Sequence, residues 1–165
     1  MYGKILVPVD GSETSTRGLN EAIKIAKVHG SQLLLVHIVN EFILDSTYAP
    51  GFYSANLIET LVKAGRKVLD AAEADATRHG VKAETVLIES IGGVAADLIL
   101  ARAKQWQPDL IVMGTHGRRG LVRLAMGSDA EQVVRAATMP VMLIRGTAKQ
   151  DKVMPEVTPA KASVA

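Results

Sequence analysis

Lys4-Ile5-Leu6-Val7-Pro8-Val9-Asp10-Gly11-Ser12-Glu13 is the stretch that decides the fold. Its apolar run, rich in β-branched residues, reads as a strand buried on both faces, because a strand with one wet face would alternate. Pro8 stands near the end of that strand, where a missing N–H costs little. Asp10-Gly11 turns the chain, Ser12 suits a helix N-cap, and Glu13 places negative charge at the positive end of the dipole. Leu19, Ala22, Ile23 and Ala26 follow at helical spacing, and Gly30 closes the helix.

The same unit recurs outward from that stretch. Residues 32–39, QLLLVHIV, read as a second buried strand. Residues 40–54 read as a longer loop that holds most of the aromatics. Leu57, Leu61, Ala64, Val68 and Ala72 mark a long amphipathic helix ending near Gly80. A third strand covers 81–89, and Gly92-Gly93 breaks the chain. A helix over 94–106 has Ala95, Leu98, Ile99 and Arg102 at turn spacing, and Pro108 stops it. A fourth strand covers 109–113. A glycine-rich loop and a helix from Ser128 to about Ala137 follow, then a fifth strand over 140–145. Strands alternating with helices through short connections predict an α/β fold: an open parallel sheet with helices on both faces, in one of the doubly wound orders. Residues 1–146 form the single domain. Residues 147–165, small, polar and without apolar period, read as a mobile tail.

The totals agree with one soluble domain. The chain has 165 residues, 48% apolar and 22% charged, and a domain of that length buries ~70% of its unfolded surface without help from disulfides or metal. The absence of cysteine removes disulfides, thiolate metal sites and a cysteine nucleophile. A net charge of +2 gives no general attraction to nucleic acid or membranes. The first apolar run is too short for a signal-peptide core or a membrane span, so the expected location is the cytoplasm.

In such a sheet ligands bind beyond the carboxyl ends of the strands, where the strand order reverses. Three stretches reach those ends: Pro8-Val9-Asp10, Ile38-Val39-Asn40 and Met113-Gly114. The third runs into Gly114-Thr115-His116-Gly117-Arg118-Arg119-Gly120 and, after a further segment, into Gly127-Ser128 at a helix start. A helix amino end offers unpaired N–H groups and a positive dipole to a phosphate, glycines let the backbone approach it, and Arg118 and Arg119 add charged donors. The P-loop pattern and G-x-G-x-x-G are both absent. A plain βα connection with glycine turns and a serine cap explains the loop equally well.

Gly114-x2-Gly117-x9-Gly127-Ser128 resembles the nucleotide-binding signature of the universal stress protein family. Val7-Pro8-Val9-Asp10-Gly11-Ser12, Leu35-Val36-His37-Ile38, the Pro108-Asp109 pair and Pro140-Val141-Met142-Leu143-Ile144 agree in order, over about residues 2–146. The resemblance implies a five-stranded parallel, Rossmann-like sheet of the adenine nucleotide alpha hydrolase-like kind. It implies a homodimer paired through the last strand and membership of the subgroup that binds ATP. The apolar edge at Val141 and Leu143, with no inward charge to guard it, gives the same pairing a physical reason, and Mg2+ is the expected companion of the nucleotide. Carried over by position, Asp10, Val9 and Ile38 border the adenine, and Pro8, Met113 and Gly114 line the ribose. Gly117, Gly127 and Ser128 hold the phosphates, with Asp129 and Ala130 next to them. Arg118 and His116 are added from their place in the loop. Asp129 stands where the family often has a small or apolar residue, and Ala130 lacks a hydroxyl found in some ATP-binding members. The function implied is a cytoplasmic, nucleotide-dependent regulatory dimer in stress response. A slow ATP hydrolase with autophosphorylation, or a nucleotide-free dimeric scaffold, is the alternative.

Blander roles stand beside these. Asp10 also serves as a turn cap. His37, inside an apolar strand, reads as a satisfied core histidine rather than a ligand. His29 and His79 precede Gly30 and Gly80 and suit helix carboxyl ends. No His, Asp or Glu set has metal-ligand spacing, and the G-x-S-x-G nucleophile elbow is absent. Arg118, Arg119, Arg123 and Arg135 lack interleaved aromatics, which speaks against a nucleic-acid surface.

Overall fold

The computed structural model describes residues 1–40, 55–90, 92–115 and 126–146, the side chains of 55–57 aside. Its elements, in order, are β1 (Lys4–Pro8), α1 (Glu13–His29), β2 (Gln32–Asn40), α2 (Ala55–Arg78), β3 (Ala83–Ser90), α3 (Ala95–Trp106), β4 (Leu110–Gly114), α4 (Ser128–Ala136) and β5 (Val141–Ile144). Every neighbouring pair is parallel, and the strands lie in the order β3-β2-β1-β4-β5. The chain steps outward from β1 to β3, returns to lay β4 on the other flank of β1, and finishes on β5. The order therefore reverses between β1 and β4.

The alternation of side chains along each strand builds two cores. Ile5, Val7, Leu33, Leu35, Leu110 and Val112 pack against Leu19, Ala22, Ile23 and Ala26 of α1 and Leu69, Ala72 and Ala76 of α2. Leu6, Leu34, Val36, Ile111 and Met113 pack against Ala96, Ile99 and Ala103 of α3 and Ala130 and Val133 of α4. Both faces of the central strands are thus sealed, which is why those strands read as continuous apolar runs. Each fully buried leucine or isoleucine contributes about 1.5–3 kcal/mol from burial alone.

Boundaries differ from the sequence reading where backbone bonds decide them. Asn40 ends β2 rather than opening the following loop. Val81 leaves the third strand because its N–H is taken by the Ala76 carbonyl at the exit of α2, 3.0 Å away. In α2 the buried stripe runs through Gly65, Leu69, Ala72 and Ala76, whereas Ala64, expected inside, is exposed. In α3 the stripe is Ala96, Ile99 and Ala103, and Ala95, Leu98 and Arg102 stand half-buried beside it. The expected loop over 41–54 and the expected tail over 147–165 lie outside the described residues.

The caps of α1 form as its sequence asks. The Ser12 hydroxyl accepts from the Ser15 N–H at 3.2 Å, and Gly30 takes the left-handed φ of 68°. Gly11, at φ 79°, makes the turn that leads in.

The opposite, amino ends of β1 and β4 are tied by one carboxylate. Asp109 accepts from the Gly3 N–H at 2.7 Å and the Lys4 N–H at 2.9 Å. Those two backbone bonds, Lys4's first, hold its carboxyl below the usual carboxylate range, against a smaller opposing effect of desolvation. A carboxyl held low when folded stabilises the protein above its unfolded pKa, and that contribution fades as the pH falls through the folded value. The stability gap between wild type and Asp109→Ala is accordingly expected to be constant above about pH 5 and to shrink as the pH drops below about 4. Urea melts of both proteins across that range check this; a gap that does not narrow in acid contradicts it.

Candidate functional site

Four observations define the carboxyl ends of β1, β2 and β4. The first concerns the exit of β1. The Val9 N–H still bonds the Val36 carbonyl at 2.8 Å, and the Val9 carbonyl receives the Nδ1 of buried His37 at 2.6 Å. Asp10 then turns the chain. Its Oδ1 accepts from the Ser12 N–H at 2.9 Å, and its own N–H donates to the Ser15 hydroxyl at 3.1 Å. The half-buried Asp10 thus has the turn-capping role whether or not it also meets a ligand.

The second is which way each residue faces. Ile38 and Met113 belong to the face covered by α3 and α4, and the alternation of β1, with Leu6 on that face, puts Pro8 there as well. The register Leu6 with Ile111, continued two residues, sets Pro8 level with Met113. Pro8, Ile38 and Met113 therefore come together on one face. Val9 and Gly114 do not join them through side chains. Val9 is in the core beneath α1 and α2. A Cβ on Gly114 would lie 2.9 Å from the Thr14 carbonyl carbon and 3.0 Å from its oxygen. The bare Cα of Gly114 is thus needed for the approach of α1.

The third is how the glycine-rich loop is anchored. The Thr115 N–H bonds the Ile144 carbonyl of β5 at 2.9 Å, and the Thr115 carbonyl accepts from the Gly127 N–H at 2.9 Å. The chain leaves β4 at Thr115 and comes back onto Thr115 before α4 begins. The sequence reading missed this buried threonine, flanked by glycine and histidine and offering no pattern of its own.

The fourth is the amino end of α4. Its N-cap is Gly127, in an extended conformation (φ −63°, ψ 147°), and it makes no side-chain capping bond. The contrast is with α1, which caps itself through Ser12. Ala130 is buried against the α3–α4 core, on the same face as Ile38 and Met113, while Ser128 and Asp129 are exposed. Asp129 and Glu131 sit in the first turn, where the dipole favours carboxylates by about 0.3–1 kcal/mol each. Glu131 is already paired with Arg135 at 2.6 Å. His116, Gly117, Arg118, Arg119 and Arg123 lie outside the described residues.

A further contact closes the rim beyond β2. Asn40 Nδ2 donates to the Gly93 carbonyl, and the Gly93 N–H donates to the Ser90 hydroxyl at 3.2 Å. His79, as expected of a helix end, bonds the Asp75 carbonyl at 2.8 Å through Nδ1. Among the described residues no three His, Asp or Glu side chains gather as a metal centre, and no helix is long and apolar enough to cross a membrane.

Residues 1–145 match the model of the universal stress protein family. A universal stress protein of Methanocaldococcus jannaschii is 34% identical over 150 residues, covering 91% of this chain and 86% of the relative. A universal stress protein family structure from Burkholderia pseudomallei superposes with a TM-score of 0.72 at 33% identity, covering 88% of this chain and 97% of that one. The universal stress protein of Archaeoglobus fulgidus, solved in complex with dAMP, shares the fold with a TM-score of 0.64 at 24% identity, covering 87% and 98%.

Proposed function

This chain belongs to the universal stress protein family, and from that premise we propose that it binds ATP or another adenine nucleotide and acts as a nucleotide-dependent regulatory dimer. The observation that supports this most is the amino end of α4. Its glycine cap provides no side-chain oxygen to its own first turn, and it starts on the same face and at the same end of the sheet as Pro8, Ile38 and Met113. In this reading the first-turn amides of α4 take an anionic group, as helix amino ends do. The nucleoside lies toward Pro8, Asp10 and Ile38, and Met113 lines the ribose. Val9 and Gly114 contribute through their backbone. Gly117, Arg118 and His116 belong to the phosphate end, with Ser128, Asp129 and Ala130. The complex of the Archaeoglobus relative with dAMP favours an adenine nucleotide as the ligand class. Mg2+ accompanying the nucleotide would offset phosphate charge, and the exposed Asp129 carboxylate in the first turn of α4 would be the residue to hold it. The location is the cytoplasm.

Calorimetric titration with ATP and Mg2+ tests the reading. Saturable heat in the micromolar range, with a rise in Tm, is the expected result. No heat and no thermal shift at millimolar ATP overturn it.

The dimer rests on the edge strand. β5 closes one side of the sheet, its four residues are all apolar, and Met142 is 37% exposed. An uncharged edge satisfies its backbone by pairing with a second copy across a two-fold axis. Light scattering at micromolar concentration is expected to give twice the chain mass for the wild type and a shift toward the single mass for Met142→Lys, which sets like charges across the axis. A wild-type monomer contradicts it.

A further inference from the structure

His37 has a place in the fold that its burial alone does not explain. A carbonyl only accepts, so the 2.6 Å contact with Val9 fixes the proton on Nδ1. The bond runs sideways from β2 to the last residue of the β1 run, just past the final ladder pair of Pro8 with Val36. It begins where the regular ladder stops. The ring is held on its other side as well. A Cβ on Gly65 of α2 would lie 2.6 Å from His37 Cδ2 and 3.0 Å from Nε2, and the same point is 3.0 Å from Leu87 of β3. Val9 at the end of β1 and Gly65 of α2 thus close on one imidazole, with Leu87 of β3 the ladder partner of His37, and the residue that follows each held atom is a proposed ligand neighbour: Asp10 after Val9, and Ile38 after His37.

We propose that His37 is a positioning residue: by gripping the Val9 carbonyl from a slot formed by Gly65 and Leu87, it sets where β1 ends and so holds Asp10 and Ile38 at the spacing the nucleoside requires. The inference rests on the nucleotide reading above and adds to it a residue that touches no ligand. It separates the two ends of the site. The Asp10 turn depends on His37 through Val9, whereas the amino end of α4 is anchored through Thr115 and β5. Loss of the His37 bond therefore weakens the grip on the base and sugar and leaves the phosphate end as it was.

The closing experiment compares wild type, His37→Leu and His37→Asn, well below their melting temperatures. Each is titrated with ATP and with inorganic tripolyphosphate. Leucine fills the slot without a donor. Asparagine keeps an amide N–H where Nδ1 stood. His37→Leu is expected to bind ATP about tenfold more weakly, with tripolyphosphate unchanged, and His37→Asn to restore ATP to within about threefold of wild type. Gly65→Ala, which pushes on the ring from the other side, is expected to reproduce the leucine result. If His37→Leu lowers Tm but leaves both affinities intact, or weakens both ligands equally, the positioning role is overturned while the nucleotide reading stands. If the wild type itself binds no ATP, that reading falls and takes this inference with it.

Discussion

A Gly127→Asp protein is expected to fold normally and to bind ATP about a hundredfold more weakly than wild type. The backbone makes folding safe to forecast: at φ −63° and ψ 147° Gly127 sits where any residue is at ease. Aspartate is moreover a preferred N-cap, better than glycine by a few tenths of a kcal/mol, so Tm holds or rises slightly. The same carboxylate occupies the first-turn amides and sets a negative charge against the phosphates. Like charges in contact cost several kcal/mol, and each 1.4 kcal/mol is about a factor of ten. A loss of affinity without a loss of stability separates the site from the scaffold. Titration calorimetry beside a thermal melt reads both, and ATP affinity within about threefold of wild type would remove α4 as the seat of the phosphates.

Gly114→Ala is expected to do the reverse and act on stability first. Thr14 packs between Gly114 and Gly146, with its carbonyl carbon 2.9 Å from the point where a new methyl would stand and its Cγ2 3.1 Å from the corresponding point on Gly146. The obstacle at Gly114 includes backbone of the first turn of α1, which cannot rotate aside. Relief requires α1 to lift from the end of β4. Overpacking of this kind costs about 2–3 kcal/mol, which for a domain of this length lowers Tm by roughly 5–10 °C. Gly30→Ala is the natural comparison. It meets nothing within 4 Å, yet it must hold φ 68°, a strain of about 1 kcal/mol. Differential melts of the two variants separate crowding from backbone strain. Should Gly114→Ala melt no lower than Gly30→Ala, the close approach of α1 is not the reason for glycine at 114.

The architecture was legible in the sequence because sheet and helices each imposed one clear period. The apolar runs at 5–9, 33–36 and 110–113 had no wet face to interrupt them, and Ser12 and Gly30 marked both ends of α1. What could not be read was whatever depended on a neighbour distant in the chain. Ala64 looked like a core residue by spacing, yet Gly65 takes the inward place because the His37 ring fills it. His37 was legible as a satisfied histidine, but its partner, 28 residues back, was not. Gly114 and Val9 carried motif positions, and only the packing of α1 and α2 decides that the first must lack a side chain and the second turns its own into the core. Thr115 had no pattern to betray it, since the bonds that tie it to Ile144 and Gly127 are made by backbone atoms.

The bond between Thr115 and Gly127 has a consequence for how this molecule tolerates change. That bond joins the exit of β4 to the entry of α4 through main-chain atoms alone. Exchanging one side chain for another at either end therefore leaves the clasp in place. Gly127→Pro is the one replacement that would unfasten it, because proline alone lacks the N–H that reaches the Thr115 carbonyl.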